Sequence, residues 1–227
     1  MHFLSEFFDF FLPRICPSCK NKLKLSEKCV CSACLSKILP ADSTRISFEF
    51  QKKFLSKGII SGFTSIYVFE KDKELQRIIH AMKYDNNFRI GETLGKLLGD
   101  KLLNEISVKN FDLIIPVPLH HLKKSERGYN QSYYISKGVN RKLNLVLDER
   151  SVKRIKYTET QTSMNIRERE KNISGAFKVK RINNISGKNI LIIDDVITSG
   201  NTVSELGRIL KKNGAAIIYA ASLAIAD

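Results

Sequence analysis

The residues best suited to chemistry stand together in the stretch from Asn189 to Glu205. Two adjacent carboxylates, Asp194 and Asp195, follow four apolar residues that predict a buried strand. A short run of small and hydroxylated residues comes next, and an amphipathic segment with helical spacing follows it. This pattern predicts a strand, a tight loop and a helix.

The loop of this unit, Thr198 to Thr202, has the composition of a phosphate site. Backbone N–H groups of a tight turn can converge on one anion, and the positive end of the helix dipole lies at the same place. Gly200 allows a positive φ and a close approach to the ligand. The two carboxylates repel a bare phosphate, but they suit a polyol or a hydrated Mg²⁺. A sugar phosphate suits both the loop and the carboxylate pair. The alternative to a binding site is an ordinary αβ unit with a capped helix.

All five cysteines fall in one short segment near the start of the chain. Cys16 with Cys19 and Cys31 with Cys34 form two C-x-x-C pairs, whose spacing is typical of two knuckles that share one tetrahedral Zn²⁺. A disulfide framework is the weaker alternative in a reducing compartment. Cys29 is either a spare thiol or a competitor of Cys31 for the metal. The segment is too short to build its own core, so the metal would supply its stability.

The charge of the chain is unbalanced, with 38 basic and 23 acidic residues and a formal net charge of +15. Such an excess favours an anionic partner, which could be nucleic acid, a membrane surface or a polyphosphate substrate. A solvated, lysine-rich surface without a partner is the alternative. The length of 227 residues suits one α/β domain with a small appendage.

We expect no transmembrane segment, because no stretch approaches the ~18 consecutive apolar residues that a spanning helix needs. The Phe-rich start, Phe3 to Phe11, is interrupted by Glu6 and Asp9 and lacks the basic flank of a signal peptide. This short helix either packs on the chain's own domain or contacts a partner or a membrane. We therefore expect a cytoplasmic protein.

The middle of the chain alternates between predicted strands and helices. Pro40 to Lys57 is polar and predicts a linker or a short helix, and Ile59 to Phe69 predicts one or two strands. Two amphipathic helices follow, and their predicted buried stripes are Leu75, Ile78, Ile79 and Met82 in the first, and Leu94, Leu97, Leu98 and Leu102 in the second. Gly91, Gly95 and Gly99 recur beside the second stripe and predict close packing against the sheet.

A second buried strand is predicted at Phe111 to Ile115, and two prolines stiffen its exit. The following basic stretch, with Lys123, Lys124 and Arg127, predicts a loop before a helix that begins near Tyr129. A basic loop at the carboxyl end of a parallel strand lies where open α/β folds bind ligands. It predicts either a pyrophosphate cradle or a solvated loop. A further strand is expected around residues 145 to 152, and the arginines after it favour either an anion site or a plain surface loop.

The stretch LIIDDVITSGNT, residues 191 to 202, resembles the phosphoribosyl-pyrophosphate (PRPP) signature of the type I phosphoribosyltransferase family. No Walker A loop and no dinucleotide fingerprint occurs in the chain. The resemblance implies that the two aspartates are the catalytic pair, holding the ribose hydroxyls, and that Mg²⁺ accompanies PRPP. The implied PRPP-binding set is Asp194, Asp195, Val196, Ile197, Thr198, Ser199, Gly200, Asn201 and Thr202.

Further short motifs, taken in order, resemble the ComF/GntX family. They are KY at 83–84, PVPLH at 116–120, RGYNQ at 127–131, TQ at 160–161, RERExN at 167–172 and GAF at 175–177, together with the two amino-terminal zinc knuckles. The departures are the additional Cys29 and Ser199, where many relatives have Thr.

This second resemblance implies a fold, three groups of site residues and two functions. The fold is α/β and type I phosphoribosyltransferase-like, a mostly parallel sheet flanked by helices with a small zinc ribbon before it. We expect residues 1–40 to hold the amino-terminal helix and zinc finger, 41–58 a linker, and 59–227 the phosphoribosyltransferase-like domain. The implied pyrophosphate loop is Lys123, Arg127, Asn130 and Gln131; the implied nucleic-acid or acceptor contacts are Lys83, Arg154, Gln161, Arg167 and Arg169; and the implied zinc ligands are Cys16, Cys19, Cys31 and Cys34.

The first implied function is a DNA-uptake protein of natural transformation that binds PRPP and single-stranded DNA. It would act in the cytoplasm or at the inner face of the membrane, with proteins of the competence machinery as partners. The alternative is an active phosphoribosyltransferase that moves the phosphoribosyl group from PRPP to a nucleobase or another acceptor and releases pyrophosphate. A domain that keeps the fold without binding PRPP is a third hypothesis.

Overall fold

A computed structural model describes residues 13–105, 110–157 and 173–226. The Phe-rich start and the predicted contacts Gln161, Arg167 and Arg169 lie outside these ranges. The described chain contains seven α-helices. They are α1 (Ser32–Leu35), α2 (Ser43–Lys53), α3 (Glu74–Tyr84), α4 (Phe88–Glu105), α5 (His121–Arg127), α6 (Gln131–Leu143) and α7 (Asn201–Lys212), with short 3₁₀ turns at Leu55–Lys57 and Ile182–Asn184.

The centre of the fold is a parallel sheet of five strands within the described ranges. The seven described strands are β1 (Gly62–Val68), β2 (Leu113–Pro116), β3 (Val146–Leu147), β4 (Val152–Arg154), β5 (Phe177–Val179), β6 (Asn189–Ile197) and β7 (Ile217–Ile225). The large sheet has the order β1-β7-β6-β2-β3, and every neighbouring pair in it is parallel. β4 and β5 form a separate antiparallel pair.

The central strand β6 is apolar on both sides because helices cover both faces of the sheet. Ile190 and Ile192 belong to the apolar cluster that contains residues of α7. Leu191 and Ile193 belong to the cluster that contains residues of α3, α4 and α6. The structure therefore confirms the predicted α/β class with a mostly parallel sheet flanked by helices.

The row of glycines on α4 packs against a helix and not against the sheet, so the predicted partner was wrong. A Cβ atom added to Gly95 would lie 2.2 Å from the carbonyl oxygen of Ile135 in α6. A Cβ atom on Gly138, on the facing side, would lie 2.3 Å from the carbonyl oxygen of Glu92. The two helices touch backbone to backbone here. Leu97, which was assigned to the buried stripe, is 37% exposed.

Two further predictions of local structure need correction. The basic stretch predicted as a loop is largely α5, because the side chain of His120 caps it by accepting a hydrogen bond from the backbone N–H of Leu122 at 3.4 Å. The true loop is confined to Gly128, with a φ of +76°, through Asn130. The single strand expected around residues 145 to 152 is two short strands, β3 and β4, joined by a turn at Asp148 to Ser151.

The cysteine-rich segment packs on the α/β core and does not stand apart from it. Cys16, Leu23 and Val30 are buried in the same apolar cluster as residues of α3 and α4. The segment predicted as a linker or short helix contains α2, whose Phe54 at the carboxyl end is fully buried. The division of the chain at residues 40 and 58 stays a prediction. None of the helices in the described ranges is long and apolar enough to span a membrane.

Candidate functional site

The candidate site lies at the carboxyl ends of β2 and β6, where the order of the strands reverses. From β2 the chain proceeds to β3 on one side, and from β6 it proceeds to β7 on the other. In open α/β sheets, ligands bind in the crevice that this reversal opens. Asp194 and Asp195 stand near the end of β6, and Pro116 ends β2 beside them.

The two carboxylates are buried and differ in their partners. Asp194 accepts hydrogen bonds from the Ser132 hydroxyl at 3.1 Å and from the backbone N–H of Asp195 at 2.9 Å. Asp195 pairs with the Lys83 ammonium at 2.6 Å and accepts from the Gln131 amide at 3.4 Å. One carboxylate therefore has a neutral donor, and the other has a cation.

These partners move the two pKa values apart. Burial, and next the charge of Asp195, raise the pKa of Asp194 to about 7. Burial also opposes ionisation of Asp195, but the charge and hydrogen bond of Lys83 outweigh it and lower the pKa of that carboxyl. At neutral pH Asp195 is therefore ionised, whereas Asp194 is near its pKa. A divalent cation or a ribose diol can bind the pair with Asp194 in either protonation state.

The loop after β6 presents the open amino terminus of α7. Gly200 is the N-cap with a φ of +72° and has no side chain to cap the helix, while the Ser199 hydroxyl accepts a hydrogen bond from the backbone N–H of Asn201 at 3.5 Å. The first turn of a helix leaves its N–H groups without intrahelical partners, and the helix dipole makes that end positive. Thr198 is exposed and Ser199 is partly exposed. This arrangement suits the binding of a phosphate group.

The segment that follows α2 contacts this loop. The ring of Phe54 lies so close to Gly200 that a Cβ atom there would be 2.8 Å from it. The ammonium of Lys57 donates to the side-chain oxygen of Asn201 at 2.7 Å. The loop is therefore held from a part of the chain that the sequence indicated only as a linker or short helix.

The predicted pyrophosphate residues lie on α5 and at the start of α6. The Arg127 guanidinium donates to the side chain of Gln131 at 3.1 Å and lies 5.3 Å from the ring centroid of Tyr84. Asn130 caps α6 and donates to the carbonyl oxygen of Val117 at 3.0 Å. Lys123 lies 5.6 Å from the ring centroid of Tyr157.

The remaining predicted residues are placed as follows. Lys83, which was grouped with the nucleic-acid or acceptor contacts, is the ion-pair partner of Asp195. Arg154 lies over the ring of Phe177 at 5.6 Å; burial lowers the pKa of its guanidinium, and the charge of Asp194 opposes that shift. Ile197 is buried in the cluster beneath α7, while the backbone N–H of Val196 donates to Asp195 at 2.8 Å.

Three residues at this site were absent from the predicted set: Ser132, Phe54 and Lys57. Ser132 follows directly on RGYNQ in the sequence, and a hydroxyl in the first turn of a helix beside a predicted anion loop was a usable signal. The contacts of Phe54 and Lys57 depend on how α2 folds back onto the loop, and the local sequence carries no signal of that.

A cavity of about 540 Å³ opens beside the carboxyl end of β2. Pro116, Pro118, Leu119, Asn130, Arg154 and Ile155 are among the residues that line it. A mixture of apolar surface with a few polar groups, at this volume, is typical of small-molecule sites. Because Asn130 also belongs to the predicted pyrophosphate loop, the cavity adjoins the candidate site.

The four paired cysteines form a separate candidate metal centre. The sulfur atoms of Cys16, Cys19, Cys31 and Cys34 lie within 4.8 Å of one another, close enough to hold one ion, and zinc suits this ligand set. Burial opposes ionisation of Cys16, but backbone N–H donors outweigh it and lower the pKa of this thiol to about 7. Cys29 is outside the cluster, with its sulfur 3.7 Å from the hydroxyl of Thr93 in α4.

Comparison with known families and proteins agrees with this architecture. The phosphoribosyl transferase domain family matches residues 130–226, which include α6, β6, the loop after β6 and α7. Competence protein F of Haemophilus influenzae is 28% identical over 93% of this chain and 95% of its own length. DNA utilization protein YhgH of Escherichia coli K12 is 28% identical over 91% of this chain and 95% of its own length.

Among solved structures, the chain is similar to an allosteric regulatory enzyme of purine biosynthesis. The TM-score is 0.40 and the identity is 18%. The match covers 59% of this chain and only about a quarter, 25%, of that longer chain.

Proposed function

We propose that this chain is a ComF-type DNA-uptake protein that binds PRPP at the carboxyl end of β6 and single-stranded DNA on its basic surface. The observation that supports PRPP binding is the position of the Asp194–Asp195 pair beside the amino terminus of α7, whose N-cap is Gly200. The names of the relatives, which refer to competence and DNA utilization, support the DNA half.

Each part of PRPP would meet a group of suitable chemistry at this site. The 5-phosphate would accept hydrogen bonds from the backbone N–H groups and hydroxyls of Thr198 to Thr202, as a phosphate does at a helix amino terminus. The ribose hydroxyls would meet Asp194 and Asp195. The pyrophosphate, carrying Mg²⁺, would lie toward Lys123 and Arg127, because cations and Mg²⁺ together balance its charge. Mg²⁺ would offset the repulsion between the carboxylates and the phosphates.

The PRPP site is tested by calorimetric titration of the chain with PRPP and Mg²⁺. We expect binding to the parent chain and none to Asp194→Asn/Asp195→Asn. A matched control, Asp100→Asn/Asp112→Asn, removes two carboxylates whose side chains are 49% and 40% exposed on the surface, and it should bind as the parent does. Unchanged affinity in the first double variant would refute the site.

The DNA half is tested by gel-shift titration with a single-stranded oligonucleotide at low salt. The net charge of +15 supports binding through backbone phosphates, so the affinity should fall steeply as salt rises. Absence of a shift at low salt contradicts the proposed DNA binding and does not bear on the proposed PRPP site. We place the protein in the cytoplasm or at the inner face of the membrane, together with protein partners of the competence machinery.

The alternative function is phosphoribosyl transfer, and the cavity of about 540 Å³ beside the site is the observation that favours it. An acceptor base in that cavity would adjoin the ribose of PRPP. The chain's own contribution would be to position both substrates and to stabilise the positive ribose of the transition state with Asp194 and Asp195. Pyrophosphate release on incubation with PRPP, Mg²⁺ and a panel of nucleobases supports this function, and no release across the panel supports a binding role.

In the same proposal the four-cysteine cluster holds a structural Zn²⁺. Four thiolate ligands leave no open coordination position, which is the arrangement of a structural and not a catalytic zinc site. The third hypothesis, a domain that keeps the fold without PRPP, is disfavoured because both carboxylates and the open helix terminus are present.

A further inference from the structure

A second cavity, of about 290 Å³, lies between the cysteine-rich segment and α4. Its lining includes five cations, Arg14, Lys28, Arg89, Lys96 and Arg141, and one carboxylate, Glu92. These cations come from three parts of the chain that the fold brings together: the zinc ribbon, α4 and α6. The cavity is distinct from the PRPP site, because the two share no lining residue.

The single carboxylate does not neutralise this cavity. Glu92 is already engaged by Lys137 at 2.9 Å and by Arg141 at 2.7 Å. Within the described ranges, Arg89 and Lys96 form no hydrogen bond and no ion pair. Cations gathered in a concave site, with their only carboxylate already paired, create a positive potential that attracts an anion.

An aromatic surface adjoins the cavity through Lys137. The ammonium of Lys137, which pairs with Glu92, lies 5.2 Å from the ring centroid of Tyr134. The ring of Tyr134 lies 4.7 Å from that of Phe88, and both side chains are partly exposed. Unpaired bases stack on such rings, whereas a duplex keeps its base faces covered.

The backbone contact between α4 and α6 fixes the spacing of these two features. Gly95 and Gly138 allow the helices to approach until no Cβ atom would fit between them. The cations and Phe88 of α4 and the Tyr134 ring of α6 are therefore held in one arrangement, and a preformed site loses little binding free energy to the ordering of its side chains.

From these observations we infer that the cavity is a phosphodiester-binding site for single-stranded DNA, with Tyr134 and Phe88 as its base-stacking surface. This inference rests on the proposed DNA-binding function and names the site at which it occurs. A backbone phosphate would lie among Lys28, Arg89 and Lys96, and the adjacent base would stack on Tyr134. The ribbon would then contribute directly to DNA binding.

The test compares two double variants by fluorescence anisotropy with a labelled oligo-dT in a salt series. Arg89→Ala/Lys96→Ala removes two cavity cations, and Lys178→Ala/Lys212→Ala removes two exposed lysines that do not line the cavity. Both variants lose the same net charge. We expect the cavity variant to bind about tenfold more weakly than the control, with a salt slope reduced by about 0.7 for each lost phosphate contact.

Three further measurements complete the test. Tyr134→Ala should weaken binding by about tenfold with an unchanged salt slope, because stacking is not electrostatic. Thermal unfolding, zinc content and PRPP binding of the cavity variant should match those of the control, which shows that the fold and the other sites are intact. Sedimentation with phosphatidylserine vesicles measures whether the same cations serve a lipid surface.

The outcomes separate this inference from the proposed function. If the parent chain does not bind oligo-dT, the DNA half of the proposed function fails, and the inference fails with it. If the parent chain binds and the two double variants bind equally, the proposed function stands and the cavity is not the site. Loss of vesicle binding without loss of DNA binding overturns the inference in favour of a membrane surface.

Discussion

At the scale of single residues, the candidate site depends on keeping two buried carboxylates in different states. Lys83 pairs directly with Asp195, whereas Asp194 accepts hydrogen bonds from the Ser132 hydroxyl and a backbone N–H. Burial of the Asp194 charge opposes folding, and a bound cation or ligand would offset that cost. Asp194 is therefore a residue at which binding and stability oppose each other.

This opposition predicts a pH-dependent gain in stability for Asp194→Asn. The folded pKa of Asp194 is raised from 3.8 to about 7, so the folded state holds the proton in that interval and the unfolded state does not. The contribution of Asp194 to stability is therefore full at low pH and is lost as pH rises through about 7. Asparagine stays neutral and keeps an oxygen for both donors.

We expect the ligand-free Asp194→Asn variant to melt a few degrees higher than the parent chain at pH 8 and by a smaller margin at pH 5, because pH 5 already lies above the unfolded pKa of 3.8. Thermal unfolding followed by circular dichroism at both values measures this. A variant that is less stable at pH 8 would show that the Asp194 carboxylate makes a net favourable interaction in the unliganded protein.

Gly200 gives a second prediction at this scale, because its positive φ and its contact with Phe54 both exclude a side chain. Gly187 has the same φ of +72° but has nothing within 4 Å of an added Cβ atom. Gly187→Ala should therefore cost about 1–2 kcal/mol from backbone strain alone. Gly200→Ala should cost more, because the Phe54 ring must also move, and it should weaken PRPP binding.

Chemical denaturation of the two glycine variants, with PRPP titration of each, separates the two contributions. Equal losses of stability would mean that the Phe54 ring yields without cost. Unchanged PRPP affinity in Gly200→Ala would mean that the phosphate does not depend on the conformation of this loop.

The residues of the site differ in how far the sequence could reveal them. The carboxylate pair, the glycine and the hydroxyls are contiguous, so a local pattern of strand, loop and helix was enough to predict them as a unit. The pairing of Lys83 with Asp195 depends on where α3 ends against the sheet. The hydroxyl of Ser132 and the ring of Phe54 likewise reach the site only through the tertiary fold.

At the scale of elements, the sequence indicated the helices better than their partners. The apolar spacing of α3 and α4 predicted both helices, and the structure confirms them. The glycine row of α4 signalled close packing, but a missing side chain does not say what approaches it. The basic stretch around Lys123, Lys124 and Arg127 was predicted as a loop, and the cap at His120 that begins α5 is visible only in three dimensions.

The cysteine-rich segment gives the prediction at this scale: one zinc ion per chain, lost in Cys34→Ser and retained in Cys29→Ser. Cys34 is one of the four clustered sulfurs, whereas Cys29 lies apart against Thr93. A serine hydroxyl is a poor zinc ligand at neutral pH, so the tetrahedral site would lose a quarter of its ligands. Metal analysis of the purified variants measures the content.

The two serine variants control for each other, since each removes one buried sulfur from the same segment. Zinc retained in Cys34→Ser and lost only in the combined Cys29→Ser/Cys34→Ser variant would identify Cys29 as a substitute ligand. Loss of zinc in Cys29→Ser alone would contradict the assignment of the four ligands.

At the scale of the whole molecule, the cysteine-rich segment and the α/β core share one apolar cluster. The sequence suggested an appendage, because the length suits one α/β domain and the short cysteine-rich segment cannot build a core of its own. In the structure, Cys16, Leu23 and Val30 share an apolar cluster with α3 and α4. Ser18 of the ribbon also accepts a hydrogen bond from the Arg77 guanidinium of α3 at 3.3 Å. The sequence indicated the cysteine-rich segment and the α/β domain, but not the contact surface between them.

Removal of zinc should therefore destabilise the entire chain and not the ribbon alone. Metal binding free energy is folding free energy for a segment that cannot build its own core. Because that segment covers part of the apolar cluster of α3 and α4, its loss exposes core residues of the α/β domain. In differential scanning calorimetry with a strong chelator, we expect one transition shifted to lower temperature. The Cys34→Ser variant should show the same lowered transition without chelator and no further shift with it. The contrary result is a main transition at its original temperature, preceded by a small separate transition. It would mean that the ribbon folds independently of the core. The cavity between them would then lack the fixed geometry on which its role in DNA binding depends.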